Sequence, residues 1–376
     1  MRKHFYYALA ILVGTTIGGG IFGLPYVIAK AGLLTSLFYF LVLGASVLLV
    51  TLFFGEIILS TEEDHRLVGY AKKYLGKKGE ALITISTVTG MIGSLLAYII
   101  IGGNFLKIVL PSIGLSATHF SFLFWLVLSF FVYKGIKLIA PAELLMNVCL
   151  GIILLLVFGF AMPHIEPQNF QIIDFSNVFL PFGVILFALV GWTALPEMAE
   201  LFQSREDHKS FKPIIILGMG IVILLYFLFS AAVVGVSGLE TTQEAFKGLI
   251  PFLGGNVVRL GASLGVLAVS ASFLVLALYL KDTFKYDFGV KPWKAFLATS
   301  IPPIVFFSLG IENFIGVLGI TGTIIGALEG TAIVLIFKEV KEKRDKEPEY
   351  SLSVSNYLLY LLIGVFVLGI IAQFIG

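Results

Sequence analysis

Charge is scarce in this chain. Only 13% of its 376 residues are Asp, Glu, Lys or Arg, about half the ~25% usual in a soluble domain, so water cannot be the solvent for most of its surface. Cysteine is nearly absent. Cys149 stands alone, which excludes an intrachain disulfide and every Cys-based metal spacing. Histidine is sparse as well. His4, His65, His119, His164 and His208 all fall in loops or at the ends of apolar runs, which argues against a membrane-embedded enzyme with a metal or Ser/His centre. A net charge of +2 with no basic tract gives no footprint for nucleic acid. No loop is long enough to form a separate soluble domain. The opening Met1-Arg2-Lys3-His4 leads into an apolar stretch that runs through a glycine cluster to Pro25, which reads as a retained first helix and not as a cleaved signal.

Apolar residues supply 58% of the chain and the mean hydropathy is +1.01. A helix needs roughly 20 apolar residues to cross a bilayer. Eleven runs of that kind can be traced, at 5–31, 34–60, 81–109, 118–134, 139–163, 178–202, 213–237, 256–281, 294–310, 314–338 and 356–375. The pattern predicts an all-α, polytopic protein of the cell (cytoplasmic) membrane, built as one transporter domain over 1–376. Charge placement tests the count. With the N-terminus cytoplasmic, all but four of the 25 basic residues fall on inner segments; Lys30, Lys107, Lys247 and Arg259 are the exceptions. Such a bias marks cytoplasmic loops, and it places the C-terminus outside. The inner loop 61–80 reads either as a short surface helix or as a solvated connector. The loop 339–355, charged and containing Pro348, reads as a linker before an added last helix.

Spans one and six share a string. Gly20-Ile21-Phe22-Gly23-Leu24-Pro25 and Gly191-Trp192-Thr193-Ala194-Leu195-Pro196 align without a gap. Each opens a set of five spans, about 5–163 and 178–338, with 356–375 left over. Five is odd, so the second set enters from the opposite face, as in the inverted repeats of secondary transporters. Gly18-Gly19-Gly20 at mid-membrane is poor helix material, at about 1 kcal/mol per glycine relative to alanine. Pro25 and Pro196 each remove a backbone donor. Irregular backbone at that depth survives only where it lines a cavity or is buried in protein. A broken helix offers amides at one half and carbonyls at the other, the complement of a zwitterionic amino acid. The competing explanation is close packing through small residues.

These residues resemble a known family. Thr15 through Pro25 is similar to the first-helix signature of the amino acid/auxin permease family, close to the tryptophan/tyrosine permease branch of the amino acid–polyamine–organocation superfamily. Phe187-Ala188-Leu189-Val190-Gly191-Trp192 resembles the sixth helix, Ala97-Tyr98-Ile99 with Gly102-Gly103 the third, and Ser270-Ala271-Ser272-Phe273 the eighth. The resemblance implies the leucine-transporter-type fold, a 5+5 inverted repeat with helices 1 and 6 broken, plus one helix. It implies a secondary amino acid transporter working by alternating access. It also implies substrate contacts from Thr15, Thr16, Gly18, Gly19 and Gly20, and carbonyls from Leu186, Phe187 and Leu189 beside Gly191. Tyr98 would give a hydroxyl to the carboxylate, and Trp192 would flank the side-chain pocket or gate it. The plain alternative for Tyr98 and Trp192 is helix packing.

Carboxylates at membrane depth are costly and often mark ion paths. Glu197, next to Pro196, is the first candidate for proton coupling or gating, and Glu329 the second. Glu56 and Glu143 read as partners of a nearby lysine or amide. Sodium is the alternative driving ion. In sodium-coupled relatives, span-one carbonyls and adjacent span-eight hydroxyls hold it. Val13, Thr16 and Ser272 remain for that role here, but Ala271 stands where the second hydroxyl belongs. The expectation is a proton symporter that needs no cofactor, with a sodium-coupled symporter, an exchanger or a non-transporting sensor as alternatives. The substrate is an amino acid, with phenylalanine and tryptophan near the breaks suiting an apolar or aromatic side chain. Its identity and the oligomeric state are left open.

Overall fold

Glycine and proline decide where the helices of this chain bend and stop. The computed structural model describes residues 2–63, 65–135, 139–202 and 205–375, with no strand among them. Lys137 and the side chain of Glu143 lie outside the described residues.

Helix α1 (Arg2–Thr16) gives way at Ile17-Gly18 to a 3-10 turn over Gly19–Gly23, and then to α2 (Leu24–Ala31). The two arms meet at 46°. Gly32, at φ +91°, turns the chain into α3 (Leu33–Ser60); a Cβ there would stand 2.6 Å from the Ile172 carbonyl oxygen. Helix α4 (Leu67–Val109) is kinked at Gly76, where φ is 71°. Before the kink, Leu67, Tyr70, Ala71 and Tyr74 are buried while Lys72 and Lys73 face out, the spacing of an amphipathic helix. A helix, not a plain connector, stands in this loop, but its apolar face seats on protein and not on a membrane surface: Tyr70 meets Phe54 edge to face at 5.7 Å, and the Tyr74 hydroxyl bonds with that of Thr61 at 2.9 Å.

Helices α5 (Ala117–Lys134) and α6 (Ile139–Ala161) precede the second broken span. There α7 (Leu180–Leu189) ends at Val190-Gly191, a 3-10 turn covers Trp192–Ala194, and α8 (Leu195–Glu200) follows. Pro25 and Pro196 sit in the first turns of α2 and α8, where no N–H is needed and the fixed φ suits a helix start. The prolines begin the second half-helices, and the breaks lie upstream of them. The short α9 (Arg205–His208) leads to α10 (Phe211–Ser237), and the short α11 (Ile250–Leu253) to α12 (Gly255–Asp282). Then come α13 (Pro292–Ser308), with Pro302 and Pro303 inside it, α14 (Phe314–Lys343) and α15 (Asn356–Ile375). Among the described residues, eight helices are long and apolar enough to cross a membrane, and the bent α1–α2 pair makes nine. α13 has only 17 residues, and the apolar stretch Asn356–Ile371 in α15 is short as well. Helices nevertheless occupy all eleven expected segments.

Helix α14 runs through the centre of the bundle, and its glycines let neighbours touch its backbone. A Cβ on Gly322 would meet the Gly183 carbonyl oxygen of α7 at 2.1 Å, and one on Gly183 would meet that of Gly319 at 2.1 Å. On another face, Gly93 of α4 leaves room for the Thr321 hydroxyl, which a Cβ would meet at 2.3 Å. Small residues serve membrane helices in this way because lipid supplies no hydrophobic drive between them. The outer surface is apolar, with Leu155 75% and Leu368 65% exposed, as lipid requires.

The segment after α14 is strapped to the bundle. The buried Glu56 accepts from Lys341, from the Ser351 hydroxyl at 3.2 Å and from the Leu352 amide at 2.7 Å. It thus has both the lysine and the amide expected of it. Asp345 accepts from Lys73 at 2.5 Å and from the Glu62 amide at 3.1 Å. These bonds hold its carboxyl below the usual carboxylate range, the lysine bond first among the causes.

Candidate functional site

The two broken spans meet. A Cβ on Gly191 would stand 2.0 Å from Thr16 Oγ1, so the end of α1 rests directly on the second break. The Thr16 hydroxyl is held there by donating to the Leu12 carbonyl at 2.6 Å. Beside this contact lies a cavity of about 210 Å³, far above the ~10–15 Å³ that a single water needs.

Both breaks line the cavity. Thr15, Thr16, Gly18 and Gly20 come from the first, and Phe187, Ala188, Val190 and Thr193 from the second. Ser94 and Tyr98 of α4, Met146 of α6, Ser272, Val275 and Leu276 of α12, and Ile325 of α14 complete the wall. No charged side chain is among them. The first residues of a helix lack intrahelical partners for their amides, so the start of the Gly19–Gly23 turn presents N–H groups beside Gly18. The Tyr98 ring lies over this backbone, with its Cε1 2.7 Å and its hydroxyl 3.4 Å from where Cβ atoms on Gly19 and Gly18 would be. The same hydroxyl is within reach of the Gly19 amide and the Ser272 hydroxyl.

Some expected residues stand elsewhere. Leu186 and Leu189 are fully buried and absent from the wall. The Leu186 carbonyl already accepts from the Val190 amide at 3.2 Å. Trp192 does not flank the cavity. Its indole is fully buried and donates to Glu329 Oε2 at 2.9 Å, while Thr87 of α4 donates to Glu329 Oε1 at 2.9 Å. Glu197 is exposed on α8, with Arg66 and Glu200 as its charged neighbours. Arg66 itself lies 4.2 Å from the Tyr279 ring centroid. Gly19, Gly191 and Val13 also lie off the wall. Ser272 points its hydroxyl at Met146 Sδ, 2.8 Å away, and at the Ala268 carbonyl, 3.1 Å away.

Tyr226 was not anticipated. Its hydroxyl lies 2.7 Å from the Thr16 carbonyl oxygen and 2.9 Å from that of Ala188, so one O–H ties the ends of α1 and α7 together. A lone tyrosine in the apolar run of α10 carries no sequence signal for such a role. Off the wall, beyond Gly20 in the first break, Phe22 meets Phe105 at 5.0 Å and Phe246 at 5.8 Å, and all three rings are buried. Within the wall Thr15 and Thr193 are exposed, and Glu197, also exposed, follows one turn after Thr193 in α8.

A helical bundle with two facing helix breaks around an uncharged cavity is the arrangement of a polytopic membrane transport protein. Residues 1–373 match the tryptophan/tyrosine permease family, and the chain belongs to it, as an amino acid permease. Relatives include the tyrosine-specific transport system 1 of Haemophilus influenzae, 25% identical over 96% of this chain and 93% of that one. The tryptophan-specific transport protein of Shigella flexneri is 26% identical over 91% and 88%. Glutamine transporter 2 of Aliivibrio fischeri is 24% identical over 90% and 89%. The fold matches the crystal structure of MhsT in complex with L-phenylalanine, with a TM-score of 0.67, 15% identity and coverage of 99% and 98%.

Proposed function

We propose that this permease carries a neutral amino acid with an apolar or aromatic side chain, by proton symport, through the cavity between the two breaks. The observation that carries the reading is the wall itself. It sets the backbone of Gly18 and Gly20 beside the ends of α1 and α7 at Thr15, Thr16 and Ala188, and surrounds them with Phe187, Met146, Val190, Val275, Leu276 and Ile325. A zwitterion's carboxylate suits the amides and Tyr98, and its ammonium suits the carbonyls. An ionised side chain would find no counter-charge. The tyrosine and tryptophan relatives point the same way; the glutamine relative keeps small polar side chains in the test set.

The chain then crosses the membrane eleven times as one domain of two inverted five-span repeats, with the N-terminus inside. The exposed Thr15–Thr193 side of the cavity faces inward and the buried Phe22, Phe105 and Phe246 cluster lies toward the outside, an inward-open step of alternating access.

Proton coupling is supported by Glu329. An indole N–H can only donate, whereas the Thr87 hydroxyl can donate or accept. A proton on Glu329 therefore belongs on Oε1, with Thr87 turned to accept it. The Trp192 bond survives but becomes a neutral one, roughly half as strong as its charge-assisted form. Loading the proton thus loosens the tie between the sixth-span break and α14. Glu197 and Arg66 are placed for a gating pair at the inner mouth. The sodium alternative is weakened because the Ser272 hydroxyl meets a soft thioether, while sodium is a hard cation that takes oxygen ligands.

The test is uptake of labelled amino acids into proteoliposomes under an imposed pH gradient or an imposed sodium gradient. Uptake of tyrosine, tryptophan or phenylalanine driven by the pH gradient alone is expected. Uptake that follows sodium at constant pH would replace the proton reading. A cooperatively folded protein that neither transports nor is thermally stabilised by any amino acid would overturn the carrier reading.

A further inference from the structure

A second and larger cavity, about 390 Å³, lies at the end of the molecule where α4 finishes and α12 begins. Lys107, Lys247 and Arg259 line it, and these are three of the four basic residues that break the inner-loop charge bias. The fourth, Lys30, is occupied, donating to the Leu239 carbonyl at 3.1 Å. Among the described residues, the side chains of the other three make no ion pair or hydrogen bond. Glu244, 8% exposed, lines the same cavity and is not within ion-pair distance of any of them.

The helix beneath adds to the positive field. α12 starts in this wall at Gly255, its N-cap is Gly254 with no side-chain cap, and no acid occupies its first turn. An uncapped helix N-terminus presents free amides and partial positive charge. Three exposed cations without an ion pair and an open helix start thus gather around one hollow. Repulsion among the three is left uncompensated except by one carboxylate.

The cavity is separate from the central site. Phe105 and Phe246, whose rings lie 5.6 Å apart, precede Lys107 and Lys247 in the chain. With Phe22 they form a buried ring cluster, and the two cavities share no lining residue.

We infer that this basic cavity is an oxyanion-binding site, taking a carboxylate or phosphate group independently of what the central cavity carries. Two sources share that chemistry: a small anionic solute and the phosphate headgroup of an anionic phospholipid. The full-length protein is melted in detergent at fixed ionic strength with acetate, inorganic phosphate, phosphatidylglycerol or phosphatidylcholine. The expected result is a rise in Tm with at least one anionic probe and none with phosphatidylcholine. A response to acetate or phosphate identifies a solute site, and one confined to phosphatidylglycerol identifies a lipid site. The Lys107→Gln, Lys247→Gln, Arg259→Gln triple variant should lose it. Should that variant not fold, Lys247→Gln and Arg259→Gln singly should each weaken apparent affinity roughly fivefold. No response to any anion, equal responses to the two lipids, or an undiminished response in the variants overturns the proposal.

Discussion

At the first break the cavity meets backbone. Gly18 and Gly20 stand in its wall; Tyr98 of α4 reaches over the first and the Phe187 ring of α7 packs on the second. At the second break the cavity meets Val190 and Thr193, while Trp192 between them turns away to Glu329 on α14. The first break carries no side chain of its own at these positions. The other uses a large side chain as a tether to the centre of the bundle. The shared Gly-to-Pro string thus supports two jobs, and the difference lies in Trp192 standing where the first string has Ile21 and in Leu189 and Val190 standing where the first break has Gly18 and Gly19. The contact between Thr16 and Gly191 joins the two breaks directly, and the Tyr226 hydroxyl across both carbonyls adds a second link.

The largest effect is expected from crowding that contact. Gly191→Ala places a methyl 2.0 Å from a Thr16 hydroxyl that is already anchored to Leu12. Overpacking of this kind costs about 1–3 kcal/mol, and here it separates the two breaks, so both Tm and uptake should drop steeply. Gly18→Ala meets only the Tyr98 hydroxyl at 3.4 Å and has φ −102°, so it should keep its Tm. Adding Thr16→Ala to Gly191→Ala should recover part of the lost stability. Equal losses in the two glycine variants, or no rescue, would dissolve the asymmetry between the breaks.

The tether comes next. Trp192→Phe leaves the buried Glu329 carboxylate with Thr87 as its one donor. Removing one partner of a buried polar group costs about 1–3 kcal/mol, to be read as lost stability in denaturation. Glu329→Gln keeps the shape: its oxygen accepts from the indole and its amide donates to Thr87. That variant should fold, bind substrate and exchange it, yet no longer respond to an imposed pH gradient. A pH-driven Glu329→Gln permease would remove Glu329 from the proton path.

How much of this was legible beforehand follows from where each signal resides. Helices, spans and the position of the breaks are written locally, in apolar runs and glycine strings, and they were read to within a few residues. The buried face of 67–74 is a local pattern too. Direction is another matter. Nothing in the sequence around Trp192 says that the indole leaves the cavity, because that depends on Gly322 and Gly183 bringing α14 against α7. Tyr226 matters through two carbonyls far away in the chain. Glu197 read as a membrane carboxylate because Pro196 was taken to mark the break, whereas the proline starts α8 and leaves Glu197 on its exposed face.

Tyr226→Phe should have a smaller effect than either. One hydroxyl bridging two helix ends contributes about 0.5–1.5 kcal/mol, and its loss should lower Tm modestly while weakening stabilisation by substrate. A variant with unchanged substrate stabilisation would show that Thr16 and Gly191 alone couple the breaks.

The smallest effect belongs to a pair at neither break, Asp345 with Lys73. Their side chains are 26% and 29% exposed, so the pair is worth about 0–1 kcal/mol. Because the folded carboxyl titrates below its ordinary value, its contribution is complete above the unfolded pKa of about 3.9 and fades as pH falls through the lower folded value. Asp345→Asn should therefore melt slightly below the parent at pH 7, with the gap closing below about pH 4. Uptake at neutral pH should be unaffected. If Asp345→Asn instead impaired transport, the strap around Glu56 and Asp345 would be a third moving part, and the two breaks would no longer suffice to describe the cycle.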